Sequence, residues 1–406
     1  MEKGLRTGLR LTPNWVRTAI NGLGLCAFLF FPLLVIAPKG IAALLTVAGL
    51  LSFAARDGAP FSFSWKKSTF SLLFGVLILW AALSTLWAVN GYFAVIETLR
   101  IGAMLVLGTA LLDCGSRLGA PDRKRIKTLF LAGTLAALVL LVPGSFLMQT
   151  DRLAITVPFN QVALILAIGL GPLVAPLLMT KRLRTALLLV IMVLVCIFLQ
   201  RSTTAKVSVL VGLAIGTLFF LKPKWAGLAA GLGCAAMIAT APLTFPRLAH
   251  DPQVSAEMAE FKSSAWHRAQ IWAFVGERIA ERPLLGWGMN SSRVIPGGNT
   301  QIRPGVEILP LHPHNAALQL WLELGVPGAA LFAAMSLLAW KRLGASEANR
   351  WLTAGRAAAM GATFISMVPG YGAWQEWWQA SLWFIAFITL LDANRDLPIS
   401  ESRPLA

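Results

Sequence analysis

The sequence predicts an all-α integral membrane protein of about twelve transmembrane helices with one large exterior loop, and three observations carry that prediction. Of 406 residues, 57% are hydrophobic and 13% charged, and the mean hydropathy of +0.69 lies well outside the range of an average soluble domain. The apolar residues gather into segments close to the ~20 residues a helix needs to cross a bilayer. The basic residues fall in short clusters between those segments and form no nucleic-acid-binding motif, so the net charge of +17 reads as membrane topology.

Taken in order, the apolar segments run at about 17–37, 40–55, 68–88, 92–112, 126–147, 158–178, 184–200, 203–221 and 225–245, then 314–339, 350–370 and 374–392. This gives nine spans within 1–245, a loop over 246–313, three spans within 314–392 and a tail over 393–406. Lys3, Arg6, Arg10 and Arg17 precede the first span, which is long, lacks a small-residue cleavage site and is expected to be retained. The same side collects Arg56, Lys66, Lys67, Arg117, Arg123, Lys181, Arg182, Lys222, Lys341 and Arg342. Short loops on the other side hold little beyond Lys39, Arg152 and Arg201. The positive-inside rule therefore places both termini in the cytoplasm and the loop outside. Cys26, Cys114, Cys196 and Cys234 lie in spans or a cytoplasmic loop, as small apolar side chains and not as a disulfide framework or metal site.

All four histidines, His250, His267, His312 and His314, lie in the long loop or at its end. Within it, SSAWHRAQIWAFVGERIAE reads as an amphipathic helix, followed by a turn at Pro283, Gly286 and Gly288. Arg268 shares a face with Ile271, Trp272, Val275 and Ile279. A charge on an apolar stripe is costly without a partner; the choice is between snorkelling at an interface and a buried contact to an anion. Glu277, Arg278, Glu281 and Arg282 form the opposite, solvent-facing side.

Polar residues inside the spans also crowd the exterior half: Glu97 and Arg100, Asn160, Lys206 just after Arg201, Glu323, Gln375 and Glu376, with Arg356 the main exception. Ionisable groups in lipid usually face a cavity or one another. Glu97 and Arg100, three residues apart, can neutralise each other. Together Arg100, Arg152, Arg201, Lys206 and Arg268 can line a basic cavity suited to a lipid phosphate.

Down the tenth span, Asn315, Gln319 and Glu323 recur every four residues and make one polar stripe turned away from lipid. The 27 residues from His314 to Trp340 measure about 40 Å at ~1.5 Å each, longer than a ~30 Å hydrocarbon core, so His314 sits at or above the outer interface. Gly325 and Gly328 bracket Pro327, which predicts a kink.

His314-Asn315, nine residues, then Gly325-Val-Pro-Gly328 fits the pattern H[NSQ]-x9-G-x-x-G. With twelve spans and one large loop before that motif, the chain resembles the O-antigen ligase (WaaL) family within the O-antigen ligase/polymerase superfamily. Arg268 with the following RPLLGWG, Asn160 in VPFNQVA and WAALSTLW ahead of Arg100 add to the resemblance. Where the superfamily carries S-[KR]-T-A, this chain reads Ser202-Thr203-Thr204-Ala205, so Lys206 or Arg201 must supply the basic group.

The resemblance implies a GT-C-like glycosyltransferase in the bacterial inner membrane with its site facing the periplasm. It would transfer O-antigen polysaccharide from undecaprenyl diphosphate to the lipid A–core oligosaccharide. Both substrates are anchored in membrane lipid and both carry phosphates. An imidazole with pKa near 6.5 suits removal of the acceptor proton, and His314 is the candidate base. Arginine's planar fork suits the departing diphosphate; Arg268 is the first candidate. Arg100, Arg152, Arg201, Lys206, Asn160, Asn315 and His312 stand behind these two as binding residues. Direct displacement inverts the anomeric centre. Exterior carboxylates are scattered, without D-x-D, and His312-Pro-His314 lacks a third ligand, so no cofactor is expected and metal-independent transfer is. Among alternatives, an O-antigen polymerase commonly has two large loops with R-x10-G, whereas no arginine in this loop has glycine eleven positions on. A protein O-oligosaccharyltransferase shares the HN pattern. A secondary transporter usually shows inverted repeats and midplane charges, and no convincing repeat is present.

Overall fold

The computed structural model describes residues 13–56, 69–147, 153–368 and 370–392. Its helices are α1 (Asn14–Ile36), α2 (Gly40–Ala54), α3 (Thr69–Leu83), α4 (Gly91–Arg117), α5 (Ala120–Leu147), α6 (Leu153–Met179), α7 (Leu183–Leu199), α8 (Thr203–Leu221) and α9 (Pro223–His250). There follow α10 (Pro252–Phe261), α11 (Ser263–Glu281), α12 (Ala316–Gly344), α13 (Arg350–Met367) and α14 (Glu376–Leu390). Strands β1 (Gln301–Arg303) and β2 (Val306–Glu307) form a small antiparallel hairpin between α11 and α12. Twelve of these helices coincide with the twelve apolar segments. Among the described residues, eight helices are long and apolar enough to cross a membrane, and α2 and α7 are shorter apolar helices. The chain is an all-α, multi-pass membrane protein.

Polar caps set where several helices begin. The side chains of Asn90, Ser202 and Asn315 accept from the backbone N–H of Phe93, Ala205 and Leu318, and Asp251 accepts from Gln253 and Val254. One core joins Phe30 and Phe31 of α1, Phe130 of α5 and Phe384 of α14. Helix α13 lies against α6 and α8, and α12 against α9 and α3. Small residues allow the closest of these approaches: a Cβ at Gly171 of α6 would lie 2.4 Å from the carbonyl oxygen of Gly355 in α13. Amphipathic α11 buries Ile271, Trp272, Val275 and Ile279, the predicted stripe, chiefly against α9. Its opposite side is less uniformly solvated than its charges suggest. Glu277 is 59% exposed, but Arg278 is half-buried in an ion pair with Glu281, and Arg282 stacks on Trp287.

The kink predicted near Pro327 is a full break two residues earlier, at Gly325. Gly325 has φ 62° and ψ −159°, a region open essentially to glycine alone. The break frees backbone groups that would be costly unpaired, and a distant loop together with α3 satisfies them. Trp287 N–H donates to Leu322 O (2.8 Å), Gly288 N–H to Glu323 O (2.9 Å), Trp80 Nε1–H to Leu324 O (2.9 Å), and Val326 N–H to Pro283 O (3.0 Å). RPLLGWG and GVPG are thus two halves of one junction. Gly286 has φ 70° at the crossing, and a Cβ at Gly325 would lie 2.3 Å from Leu284 O. Gly325→Ala is expected to destabilise the protein by at least ~1–3 kcal/mol from backbone strain. Thermal unfolding in detergent measures this; an unchanged midpoint would contradict the role given to the glycine.

Candidate functional site

The break positions a buried carboxylate. Glu323 is fully buried, and four donors reach it: Asn290 N–H at 2.8 Å, Ser292 Oγ–H at 2.5 Å, Gln319 Nε2–H at 3.0 Å and Trp374 Nε1–H at 2.6 Å. These come from the loop after α11, from α12 itself and from the segment before α14. Gln319 in turn accepts from Ala373 N–H at 2.8 Å. A buried charge needs such donors, and here they lock three segments together. The stripe of Asn315, Gln319 and Glu323 is buried, as its spacing predicts.

One turn above Gln319 the chain enters α12 through the two histidines. Helix α12 begins at Ala316 with Asn315 as its cap, and the Asn315 Nδ2 is buried without a partner among the described residues. His314 takes the left-handed conformation, φ 51°, which folds its backbone N–H onto His312 Nδ1 at 3.1 Å and brings the two rings to 4.3 Å. With Nδ1 accepting, neutral His312 carries its proton on Nε2; the Gln375 carboxamide nitrogen lies 3.1 Å from it, so the bond forms with the carboxamide turned to present its oxygen. His314 Nδ1 lies 2.6 Å from Gly370 O. A carbonyl only accepts, so this bond protonates Nδ1 and leaves the lone pair on Nε2.

Helix α11 brings Arg268 to this point. Trp272, one turn along, donates from Nε1 to Pro313 O at 3.0 Å. Burial, then the neighbouring Arg268 charge, push His314 down to about 4. Burial, then His314, Arg293 and Arg268, hold His312 well below the usual imidazole value. The sequence suggests a base near 6.5; the site holds one that is neutral down to much lower pH. Arg268 is itself shifted down by burial but stays cationic. Among the described residues its Nη1 makes only a long contact to Ser264 O at 3.5 Å, and its Nε is buried without a partner. Buried Tyr371 is held well above the ordinary phenol value by desolvation, against the opposing influence of Arg268.

Cations extend from this centre in two directions. Lys262 donates to Arg201 O at 3.2 Å, and its pKa is lowered by desolvation and by Arg268, Lys206 and Arg201, so these four share one region. On the other side opens a recess of about 1420 Å³, lined among others by Lys39, Arg100, Arg293, Glu97, Glu376 and Gln161. Gln375, which faces His312, also lines it. Arg100 is shared between Glu376 at 2.9 Å and Glu97 at 3.4 Å, so much of its charge is already answered within the protein. Asn160 holds a buried Oδ1 without a partner among the described residues, beside Gln161 of the recess. Arg152 lies outside the described residues.

His312, His314, Asn315 and Arg268 therefore meet, Arg201 and Lys206 join through Lys262, and Arg100 lies across the recess. Sequence reasoning missed Lys262, Arg293 and Tyr371. Arg293 stands in a 3-10 turn of three residues, Ser291–Arg293, where no periodicity marks it. The remaining histidines bind backbone: His267 Nε2–H donates to Glu307 O (2.8 Å) and His250 Nδ1–H to Pro246 O (2.7 Å).

Fold and site together define a polytopic helical membrane protein with a buried imidazole pair at one end of its bundle, joined through Gln375 to a recess lined by Lys39, Arg100 and Arg293. Residues 187–333, from α7 into α12, match the Wzy_C family, described as O-antigen ligase. A protein of Rickettsia conorii provisionally named polysaccharide ligase is 28% identical over 328 residues, 77% of each chain. A similarly named protein of Rickettsia prowazekii is 36% identical over 160 residues, 37% of this chain and 39% of its own. No solved structure matches. The matches support assigning this chain to the O-antigen ligase family, with a ligase type of function in the membrane.

Proposed function

We propose that the protein transfers O-antigen polysaccharide from undecaprenyl diphosphate to a sugar hydroxyl of the lipid A–core oligosaccharide, at the periplasmic face of the inner membrane. The observation that carries this reading is the junction of His314 and Arg268: an imidazole whose Nε2 lone pair is left free, beside a guanidinium with few partners of its own. In the proposed step the acceptor hydroxyl gives its proton to His314 Nε2 and its oxygen attacks the anomeric carbon of the donor. The bond from that carbon to the diphosphate breaks, the centre inverts, and the diphosphate departs with the electron pair. Arg268 holds its oxygens through a two-pronged contact, worth more as charge develops than in the ground state. Lys262, Arg201, Lys206 and Arg293 supply further positive field. Asn315 and His312 fix the entry to α12 and thereby the His314 ring.

The reading is metal-independent. Among the described residues no three His, Cys, Asp or Glu side chains gather, and cations take the phosphate-holding role. Purified protein in detergent, given lipid-linked polysaccharide and lipid A–core, is expected to build a ladder on gels without any ion gradient and with excess EDTA present. A transporter gives no ladder under these conditions. Elongation of the donor lipid alone identifies a polymerase, and transfer abolished by EDTA and restored by one divalent ion overturns the metal-free step.

A further inference from the structure

The recess beside the imidazole pair carries more polar chemistry than the transfer step uses. It is bounded by the turn between α1 and α2, the N-terminal turns of α4 and α6, the loop carrying Asn290 and Arg293, and the segment entering α14. Its volume of about 1420 Å³ exceeds the ~300–1,000 Å³ of a small-molecule pocket, which suits an oligosaccharide better than a single ring. Its charge is nearly balanced: Lys39, Arg100 and Arg293 stand against Glu97 and Glu376, and Arg100 already bridges the two carboxylates. A diphosphate placed here would meet both acids. It is better met on the other side of the imidazole pair, where Lys262, Lys206 and Arg268 crowd together.

Glu97 is the group left over. It is 1% exposed, and its Oε2 lies 3.4 Å from both Asn290 Nδ2 and Arg100 Nη2, but its Oε1 is buried without a partner among the described residues. A buried carboxylate oxygen without a donor is costly. Glu97 lines the recess, so a donor entering there can supply what the protein does not. The apolar part of the wall includes Tyr92 and Phe93, whose ring centroids are 5.9 Å apart, and Trp377. Carboxylates and carboxamides that take hydroxyl hydrogens, beside rings that take apolar C–H faces, match the two sides of a sugar.

We propose that this recess recognises the acceptor, seating its core oligosaccharide with one sugar hydroxyl donating to Glu97 Oε1 and others bonded to Glu376 and Gln161; this rests on the transfer reading above. The donor then meets the imidazole pair from the Arg268 side and the acceptor from the Gln375 side, so two lipid-anchored substrates do not compete for one entrance. Gln375 joins the recess to His312, and His312 holds the backbone of His314. The receiving sugar therefore stands at the Gln375 end. Exposed Lys39, in the turn before α2, is left for an acidic substituent of the acceptor.

The test uses the full chain in mild detergent with two probes titrated calorimetrically, core oligosaccharide released from its lipid and inorganic diphosphate. The oligosaccharide is expected to bind the wild type, and Glu97→Gln to weaken it about tenfold, the factor equivalent to ~1.4 kcal/mol, with diphosphate binding unchanged. Tighter diphosphate binding by Glu97→Gln would put the anion in the recess and overturn the proposal. In the ladder assay Glu97→Gln should raise KM for lipid A–core by a similar factor and leave KM for lipid-linked polysaccharide as it was. A fall in kcat with both KM values moved marks a structural role for Glu97 and overturns the specificity role. Gln161→Phe fills the recess from α6 and leaves the Arg100 pairs in place; it should act like Glu97→Gln and serves if that variant fails to fold. Undiminished oligosaccharide binding by either folded variant also overturns the proposal. The two readings fail separately: wild type that binds the oligosaccharide but builds no ladder sinks transfer and keeps the sugar site, whereas a ladder with an unchanged acceptor KM in Glu97→Gln sinks the recess and keeps transfer.

Discussion

His314→Ala is expected to leave the protein inserted and folded and to lower transfer by ~10²–10⁴-fold, the range general-base assistance provides. Folding should survive because the removed ring makes one side-chain hydrogen bond, to Gly370 O, while the Asn315 cap and the junction at Gly325 remain. The ladder assay measures the rate, and near-normal transfer by the variant sinks the base assignment. Acidity gives an independent signature. A depressed imidazole pKa means the competent neutral form persists as pH falls, so kcat/KM of the wild type should stay level to well below pH 6 and drop only near the value of about 4 that burial and Arg268 impose. Bound diphosphate brings negative charge beside Arg268 and offsets it, so the acid limb of kcat should lie at higher pH than that of kcat/KM.

Arg268 is the subject of the second large effect. Arg268→Lys keeps a charge and loses the fork; transfer should fall by about 10–100-fold, in line with ~1.5–3 kcal/mol for a charged hydrogen bond. Arg268→Gln removes the charge as well and should be worse. It should also move the acid limb of kcat/KM upward, because the guanidinium is the main charge holding His314 low. A rate loss without that movement points to a packing role for Arg268 on the stripe of α11; near-normal activity in Arg268→Lys argues against two-pronged phosphate capture.

The spans were readable because a bilayer imposes a length and a composition on each one. Helices α1 to α9 and α12 to α14 fall on the apolar segments, and α11 on the predicted stripe. The polar line of Asn315, Gln319 and Glu323 was readable too, since a period of four residues on a helix fixes a face. What lay beyond one-dimensional pattern was partnership over long separations. That Trp287, Gly288 and Trp80 complete the carbonyls of 322–324 depends on loop and helix meeting in space. Arg293 and Lys262 sit in short turns between elements, where a single basic residue has no periodic context. The low His314 pKa likewise needs the burial and the neighbour, neither of which spacing reveals.

The broken helix also bears on biogenesis. Residues 283–288 leave the ribosome before α12, and Trp80 earlier still, so the groups that complete the carbonyls of 322–324 are in place when the tenth apolar segment arrives. Until it docks among them, three carbonyls stand open within the hydrocarbon layer, where each costs several kcal/mol. Docking of that segment seals the break, and the stretch after α13 then closes the histidine site from the other side, through Gly370 O on His314 and Trp374 on Glu323.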